Sequence, residues 1–314
     1  MTLNRRQILA AGLLLPLPAI QRARAADAKT LRVGFQKGEP LLMTAKTNKD
    51  LETLLGPKGI GVEWIEFQFG PPMLEAMRVG SIDVGAVGDT PPVFAQAARA
   101  DLLYIAANLG SPQSILLPPG SKIQTLADLK GKKLAFGRGS SGHDFALMAL
   151  EKAGLRYDEI EPVYLGPADA GAAFERGAVD AWSIWEPYAS LFATRPGVRT
   201  LVSNKDIGEQ YSFIIGSGPF VRANPALTAM VVQAFTEAAT QASAHRADVA
   251  VVLAGATGIP QAVWARALVT DPFKVQPMSD DIIRSQQKVA DRFRAQNLVP
   301  VDIKVADIVW RPGV

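Results

Sequence analysis

From residue 31 onward, short apolar runs alternate with longer stretches in which apolar side chains recur at helical spacing. The short runs predict β-strands at residues 31–36, 62–67, 83–87, 103–107, 134–137, 161–165, 181–184 and 212–216. The longer stretches predict helices at residues 44–55, 73–79, 93–99, 144–153, 169–176, 226–254 and 280–296. This alternation favours an α/β protein whose sheets are mostly parallel and flanked by helices.

Part of this pattern occurs twice. The segment AMRVGSID at residues 76–83 recurs as AFERGAVD at residues 173–180, at a constant offset of 97. A glycine-interrupted apolar strand precedes each copy, at residues 31–36 and 134–139, and these two strands are 103 positions apart. Two copies are too few for a solenoid. The duplication therefore predicts two facing lobes with a cleft between them.

The lobes are predicted to be joined by linkers near Gln113 and near Tyr211. Residues 26–113 and 212–314 then form lobe I, and residues 114–211 form lobe II. Both lobes are long enough to bury a core of their own.

The N-terminus has the pattern of an export signal. Arg5 and Arg6 precede an apolar run at residues 8–20, and the sequence ARA at residues 23–25 offers a small-x-small cleavage site. The apolar run is too short to span a membrane comfortably, and no later stretch predicts a transmembrane helix. We expect residues 1–25 to be a cleavable signal, exported by the general or the twin-arginine route, which the sequence leaves open.

Removal of this signal changes the charge of the protein. Residues 1–25 contain four arginines and no acidic residue, so cleavage takes the formal net charge from +3 to −1. The mature chain lacks the clustered basic residues of a nucleic-acid surface, and no nucleic-acid partner is expected.

The chain contains no cysteine. That composition excludes a disulfide framework, a thiolate metal site, a cysteine nucleophile and a lipid anchor on an N-terminal cysteine. An exported and unanchored protein of this kind suits the periplasm. We expect no metal and no cofactor.

The segment GRGSSG at residues 137–142 follows a predicted strand and opens a helix. It matches the G-x-G-x-x-G pattern of dinucleotide sites, but the next strand ends without the acidic residue that would hold the ribose. A binding site for a small anion fits better, because a helix N-terminus and the hydroxyls of Ser140 and Ser141 supply donors. A plain helix cap is the simpler alternative.

One further residue of this turn, His143, is a candidate for chemistry. His143 is predicted either to donate to an anion or to cap and pack the helix. A Ser-His hydrolase is disfavoured, because Ser141 and His143 lie two positions apart and no nucleophile elbow surrounds them.

The corresponding turn after the strand at 83–87 is Gly88-Asp89-Thr90. Asp89 is predicted mainly as a helix N-cap, while Gly88 and Thr90 are the candidate ligand contacts. At the equivalent strand end of the second copy, Trp185 is placed to cover an apolar ligand tail, with Glu186 beside it. Gln36 adds an uncharged hydrogen-bonding side chain at the end of the first strand.

These segments together resemble the aliphatic sulfonate-binding proteins of ABC importers, within the wider nitrate, sulfonate and taurine group. The resemblance covers about residues 31–310 and rests on QKG at 36–38, MLEA at 73–76, GSID at 80–83, GDTPP at 88–92, DLKGK at 128–132, GSSGH at 139–143 and WEPY at 185–188. It implies a two-lobed, type II-like periplasmic binding protein fold that closes on its ligand. The implied site comprises Gln36, Gly88, Thr90, Ser140, Ser141, Gly142, His143 and Trp185, with Asp89 and Glu186 beside it.

The resemblance also implies a function. We expect a monomeric periplasmic protein that captures alkanesulfonates and delivers them to a membrane ABC permease for sulfur uptake. Taurine, nitrate and aromatic sulfonates are alternative ligands. The rival from another class is an enzyme on the same fold, such as one for a thiamine precursor, which the absence of cysteine and the export signal disfavour.

Overall fold

The computed structural model describes residues 30–271 and 273–312. In these ranges the chain forms strands that belong to two separate sheets. The strands are β1 Thr30–Gln36, β2 Gly61–Phe67, β3 Val84–Gly88, β4 Leu102–Leu109, β5 Gln113–Leu117, β6 Lys133–Phe136, β7 Glu161–Tyr164, β8 Ala181–Trp185, β9 Arg199–Ser203, β10 Tyr211–Ser217 and β11 Val275–Gln276.

Helices connect these strands and cover both faces of each sheet. They are α1 Pro40–Asn48, α2 Asp50–Leu55, α3 Gly70–Arg78, α4 Thr90–Ala97, α5 Ser141–Ala153, α6 Pro167–Glu175, α7 Tyr188–Ala193, α8 Asn204–Ile207, α9 Gly218–Ala223, α10 Pro225–Ala244, α11 Arg246–Thr257, α12 Gln261–Ala267 and α13 Asp280–Ala295.

The two sheets share one arrangement. The first has the order β11-β4-β10-β3-β1-β2, and the second has the order β7-β6-β8-β5-β9. In the first sheet β1 pairs in parallel with β2 and β3, and in the second β6 pairs in parallel with β7 and β8. One antiparallel strand is inserted inside each, β10 between β3 and β4 and β5 between β8 and β9. The short strand β11 adds an antiparallel edge to the first sheet. The predicted α/β architecture, with most strands of a sheet pointing the same way, is confirmed.

The internal repeat is confirmed at the level of single residues. Helix α3 and strand β3 correspond to α6 and β8, and all four bounds differ by the offset of 97 seen in the sequence. Two residues after the end of each helix lies a glycine with a positive φ, Gly80 at 75° and Gly177 at 66°. Glycine adopts this left-handed conformation without steric cost, so it ends the helix at the same point in both copies.

The chain passes between the sheets twice, from β4 to β5 and from β9 to β10. Each sheet is buried on both faces. Phe235 of α10 and Met73 of α3 belong to the two apolar clusters of the first sheet, and Phe145 of α5 and Phe174 of α6 to those of the second. The carboxyl ends of β1, β3, β6 and β8 carry the candidate site, as expected for open α/β sheets.

Helix α13 links the two sheets. It follows β11 of the first sheet in sequence, and it packs against α5 of the second. Arg292 donates to Asp144 at 2.5 Å and to Glu151 at 3.0 Å. The ring of Phe293 meets that of His143 edge-on, with centroids 4.9 Å apart.

Some predicted elements were wrong in extent. The helix expected at 44–55 is two helices, α1 and α2, separated at Lys49, whose φ is 59°. The helix expected at 226–254 is likewise divided at His245 into α10 and α11. Strands β5 and β9 and helices α7 and α12 were not predicted, because no clear apolar periodicity marks these segments.

The predicted signal at residues 1–25 lies outside the described residues. Within the ranges that the structure describes, no helix has the length and apolar character needed to cross a membrane.

Candidate functional site

A small cavity of about 40 Å³ lies where strand ends of the two sheets meet. Five of the residues predicted for the site line it, namely Gln36, Gly88, Ser140, Ser141 and Trp185. The other lining residues are Gly38, Glu39, Gly70, Val87, Pro91, Ser111, Gln113 and Ser212. The structure thus brings half of the predicted site residues to one cavity, from both lobes.

Lobe I contributes the ends of β1 and β3. The Gln36 side chain is fixed there, because its Nε2 donates to the carbonyl of Ala86 at 2.9 Å. Gly88 lies directly against the opposite lobe, since a Cβ added at this position would be 2.7 Å from Cβ of Ser141. Contacts this short do not occur between real side chains, so a glycine is needed for the two turns to approach.

Lobe II contributes the turn between β6 and α5. Gly139 has a φ of 71°, which turns the chain sharply before the helix. Ser140 is the N-cap residue, and its hydroxyl donates to the carbonyl of Gly137 at 2.7 Å. The first N–H groups of α5 have no carbonyl within the helix to bond, and the helix dipole adds positive potential at this end. The turn can therefore hold an anion without a basic side chain.

Trp185 covers the cavity from the end of β8. It is 7% exposed, and its ring meets that of Tyr188 edge-on at 6.3 Å. Its indole Nε1 lies 3.0 Å from the position of a Cβ built on Gly38 of lobe I. The indole thus fills the space that the glycine leaves open.

Asp89 and Thr90 are not brought to the cavity. Asp89 precedes α4 as predicted, but its side chain makes no capping bond. Its carboxylate instead accepts from the Thr90 hydroxyl at 2.9 Å and from Nε2 of Gln210 at 2.7 Å. Burial raises the pKa of Asp89 well above its ordinary value, and the nearby Asp144 carboxylate adds to this shift.

His143 and Gly142 also lie behind the cavity. His143 is 1% exposed, and its ring stacks on Phe136 with centroids 4.5 Å apart. Its Nδ1 accepts from the backbone N–H of Gly139 at 3.2 Å, and burial lowers its pKa to about 3. The neutral ring thus packs behind the turn, and its buried Nε2 has no hydrogen-bond partner among the described residues. The carbonyl of Gly142 accepts from the Ser183 hydroxyl at 2.7 Å.

Glu186 faces another part of the molecule. Its carboxylate accepts from the backbone N–H of Ser190 at 2.9 Å and from the Ser190 hydroxyl at 3.0 Å, at the start of α7. It lines a larger cavity of about 580 Å³, which shares Gln113 with the small cavity. Burial raises the pKa of Glu186.

Two glutamines were missed as site residues, Gln113 at the start of β5 and Gln210 directly before β10. Nε2 of Gln113 donates to the Ser141 hydroxyl oxygen at 3.1 Å, and Nε2 of Gln210 donates to the Ser141 carbonyl at 3.2 Å. Gln210 also bonds Asp144 at 3.1 Å. The sequence did place the first linker at Gln113, but it carried no signal that linker side chains reach the serine turn. Glu39 was missed as well.

Comparison with known proteins agrees with this architecture. The NMT1-like family matches residues 24–256. A putative aliphatic sulfonates-binding protein of Escherichia coli strain K12 is 40% identical over 307 residues, which is 97% of this chain and 96% of that protein. A protein of the same description from Bacillus subtilis strain 168 is 34% identical, over 90% of this chain and 86% of its own length.

A solved structure is similar over most of the fold. The alkanesulfonate-binding protein of Xanthomonas axonopodis pv. citri, bound to MOPS, has 41% sequence identity and a TM-score of 0.87. The match covers 91% of this chain and 99% of the Xanthomonas chain.

Proposed function

This chain belongs to the NMT1-like family and to its aliphatic sulfonate-binding proteins, and from that premise we propose that it captures an aliphatic sulfonate for an ABC importer. The ligand's sulfonate group occupies the small cavity, between the turn at Gly88 and the turn at Ser140 and Ser141. Its alkyl tail extends along Trp185.

The observation that carries this proposal is the chemistry of the cavity lining. Among the described residues that form it there is no lysine or arginine, and its donors are neutral. A sulfonate is ionised at physiological pH, so dipoles and neutral donors hold it without any proton transfer. Each such charge-assisted hydrogen bond contributes about 1.5–3 kcal/mol. A site without an arginine clamp also releases its ligand readily.

A binding role, rather than catalysis, is supported by the surroundings of the candidate nucleophile. The Ser141 hydroxyl oxygen accepts from the Gln113 amide, which cannot act as a base. The His143 ring stacks on Phe136 and its Nδ1 accepts from Gly139, and among the described residues no hydrogen bond joins it to the Ser141 hydroxyl. Acyl transfer by a Ser-His pair needs the histidine to accept the serine proton.

The location and the partners follow from the same proposal. We place the mature protein in the periplasm as a monomer, exported through residues 1–25, and its partner is the membrane permease of the importer. The two connections between the sheets, β4 to β5 and β9 to β10, are the hinge about which the lobes close on the ligand.

The proposal is tested by measuring ligand binding to the mature chain. We expect alkanesulfonates to raise the melting temperature more than nitrate or sulfate do, because a ligand that binds only the folded state stabilises it. Ser141→Ala should weaken sulfonate binding by about one charge-assisted hydrogen bond, ~1.5–3 kcal/mol by calorimetry.

Ser243→Ala, at an exposed position on α10, is the matched control and should bind as wild type. Equal affinities of the two serine variants would show that the Ser141 hydroxyl does not contact the ligand and that the turn serves only to cap α5. Tighter binding of nitrate than of any sulfonate would reassign the ligand.

A further inference from the structure

Two buried carboxyl groups, one from each lobe, meet behind the small cavity. Asp89 directly precedes α4 of lobe I, and Asp144 lies in the first turn of α5 of lobe II. These residues are 1% and 0% exposed. Nε2 of Gln210 lies 2.7 Å from an oxygen of Asp89 and 3.1 Å from an oxygen of Asp144. Gln210 itself lies on the connection from β9 to β10, so the carboxyl pair spans the lobes beside one of the two connections between the sheets.

The hydrogen bonds of this pair require a proton. Nε2 of Gln210 has two hydrogens but lies within 3.2 Å of three acceptors, of which the third is the Ser141 carbonyl. Asp144 also accepts from Arg292 at 2.5 Å, whereas no basic side chain pairs with Asp89 in the part of the chain that the structure describes. The two carboxyl groups are hydrogen-bonded to each other as well, and a carboxylate can only accept. These contacts favour a proton on Asp89 and a negative charge on Asp144.

The groups around the pair have the same effect while the lobes are together. Burial and the charge on Asp144 raise the pKa of Asp89. Burial raises the pKa of Asp144 too, but Arg292 of α13 opposes that shift, although it also binds Glu151. Tyr104 of β4 lies near Asp89 and stays protonated, because burial raises the pKa of its phenol. When the lobes separate, water reaches both carboxyl groups, and their pKa values move back toward those of ordinary aspartates.

We propose that Asp89 and Asp144 form a proton-binding contact between the lobes, so that closure on the ligand takes up a proton. This inference rests on the sulfonate-binding function proposed above and adds a regulation to it. Without the proton, two buried negative charges face each other and oppose closure. Ligand affinity is therefore highest below about pH 4, where the open form is also protonated, and it falls as the pH rises through the closed-form pKa of the pair.

The test is calorimetry of butanesulfonate binding to the mature protein from pH 5 to 8, in buffers that differ in ionisation enthalpy, which counts the protons taken up. The ligand is ionised throughout and takes up none itself. We expect wild-type affinity to fall at least about tenfold over this range, with proton uptake on binding. Asp89→Asn should bind with little pH dependence, because its amide donates without a titrating proton. Asp291→Asn, at an exposed acid on α13 that accepts from Gln287, is the matched control and should behave as wild type.

Glu39 is a competing source of proton uptake, because it lines the small cavity and burial raises its pKa to about 7. Glu39→Gln should keep most of the pH dependence. A dependence that survives Asp89→Asn and disappears in Glu39→Gln overturns the role of the carboxyl pair and leaves sulfonate binding intact. Wild-type binding without proton uptake does the same, and that measurement needs no variant to fold. Failure of wild type to bind any alkanesulfonate across the pH range overturns the sulfonate-binding function itself.

Discussion

Strands β3 and β8 occupy equivalent positions in the repeat, yet β3 ends in the smallest residue and β8 in the largest. With the offset of 97, Gly88 of lobe I corresponds to Trp185 of lobe II, and both line the small cavity. Gly88 leaves room for Ser141 of the other lobe, while Trp185 fills the room left by Gly38 of the other lobe. The duplicated unit supplied two equivalent strand ends, and they diverged into a recess in one lobe and a projecting ring in the other.

The acidic residues after these strands diverged as well. Asp89 is buried between the lobes and shares the Gln210 amide with Asp144 of α5. Among the described residues, the hydrogen bonds of the Glu186 carboxylate come from Ser190 of α7. One copy thus joins the lobes and the other stabilises a helix start. Equivalent acidic residues in the two copies therefore take different roles, because the hydrogen-bond donors around them differ.

The comparison predicts a large effect at Gly88. In Gly88→Ala the new Cβ lies 2.7 Å from Cβ and 2.9 Å from Oγ of Ser141, so the two turns must separate. We expect alkanesulfonate affinity to fall at least about 100-fold, or ~2.8 kcal/mol, because the donors no longer converge on one anion. Calorimetry measures the affinity, and thermal unfolding checks that the lobes remain folded.

Alanine substitutions at two other glycines serve as comparisons for the loss of affinity in Gly88→Ala. In Gly38→Ala the Cβ lies 3.0 Å from Trp185 Nε1 and 3.2 Å from Tyr188 Cε2, which are side-chain atoms that can move. We expect a loss below about tenfold. Gly255→Ala meets no atom within 4 Å and should bind as wild type. Similar affinities for Gly88→Ala and Gly255→Ala would contradict the close approach of the lobes.

The two acids should differ in how they make stability depend on pH. Because the pKa of Asp89 is raised in the folded state, the folded protein keeps a proton that the unfolded chain releases above about pH 4. The proton on Asp89 therefore adds to the free energy of unfolding. This addition is complete below about pH 4 and is lost as the pH rises through the folded-state pKa. In urea unfolding from pH 5 to 8, Asp89→Asn should lose less stability than wild type, by up to about 1.4 kcal/mol per pH unit.

Glu186→Gln is the matched control at the equivalent position. The pKa of Glu186 is raised by burial, but two hydrogen bonds from Ser190 oppose the shift. We expect its stability to follow the wild-type pH dependence more closely than that of Asp89→Asn. Parallel curves for wild type and Asp89→Asn would show that the buried carboxyl takes up no proton on folding.

The smallest effect concerns Trp185 and the length of the ligand. If the indole covers the alkyl tail, affinity rises from methane- to pentanesulfonate by up to ~0.8 kcal/mol for each buried methylene. Trp185→Ala should flatten this slope. Trp64→Ala, at a partly buried tryptophan of lobe I that does not line the cavity, should leave the slope intact. If wild-type affinity does not change with chain length, the alkyl tail of the ligand does not lie against Trp185.

Local pattern determined much of the fold. The apolar alternation, together with Gly80 and Gly177, predicted the paired elements of the repeat with bounds close to those observed. Because the carboxyl ends of parallel strands lie at one edge of a sheet, Gln36 and Gly88 were predicted together. The internal repeat then placed Trp185 at the equivalent strand end of the second copy. Their shared cavity could be inferred without knowing which side chains pack behind it.

The elements that sequence reasoning missed are those with weak local signals. Lys49 and His245 divide helices whose apolar spacing continues on both sides, so the pattern predicted one helix in each place. Strands β5 and β9 are five residues each, as β3 and β8 are, but neither follows a copy of the duplicated segment that helped to identify β3 and β8. They pair with each other in the second sheet.

The orientation of side chains at the site was decided by tertiary structure alone. The sequence offered His143 as a ligand group, but in the structure its ring packs between Phe136 and Phe293 of α13. The Asp89 carboxylate accepts from Gln210, which is 121 residues further along the chain. A sequence fixes which groups stand at a strand end, because that depends on neighbours a few residues away. It does not fix which of them face the ligand, because burial and hydrogen bonding there depend on residues that only folding brings together.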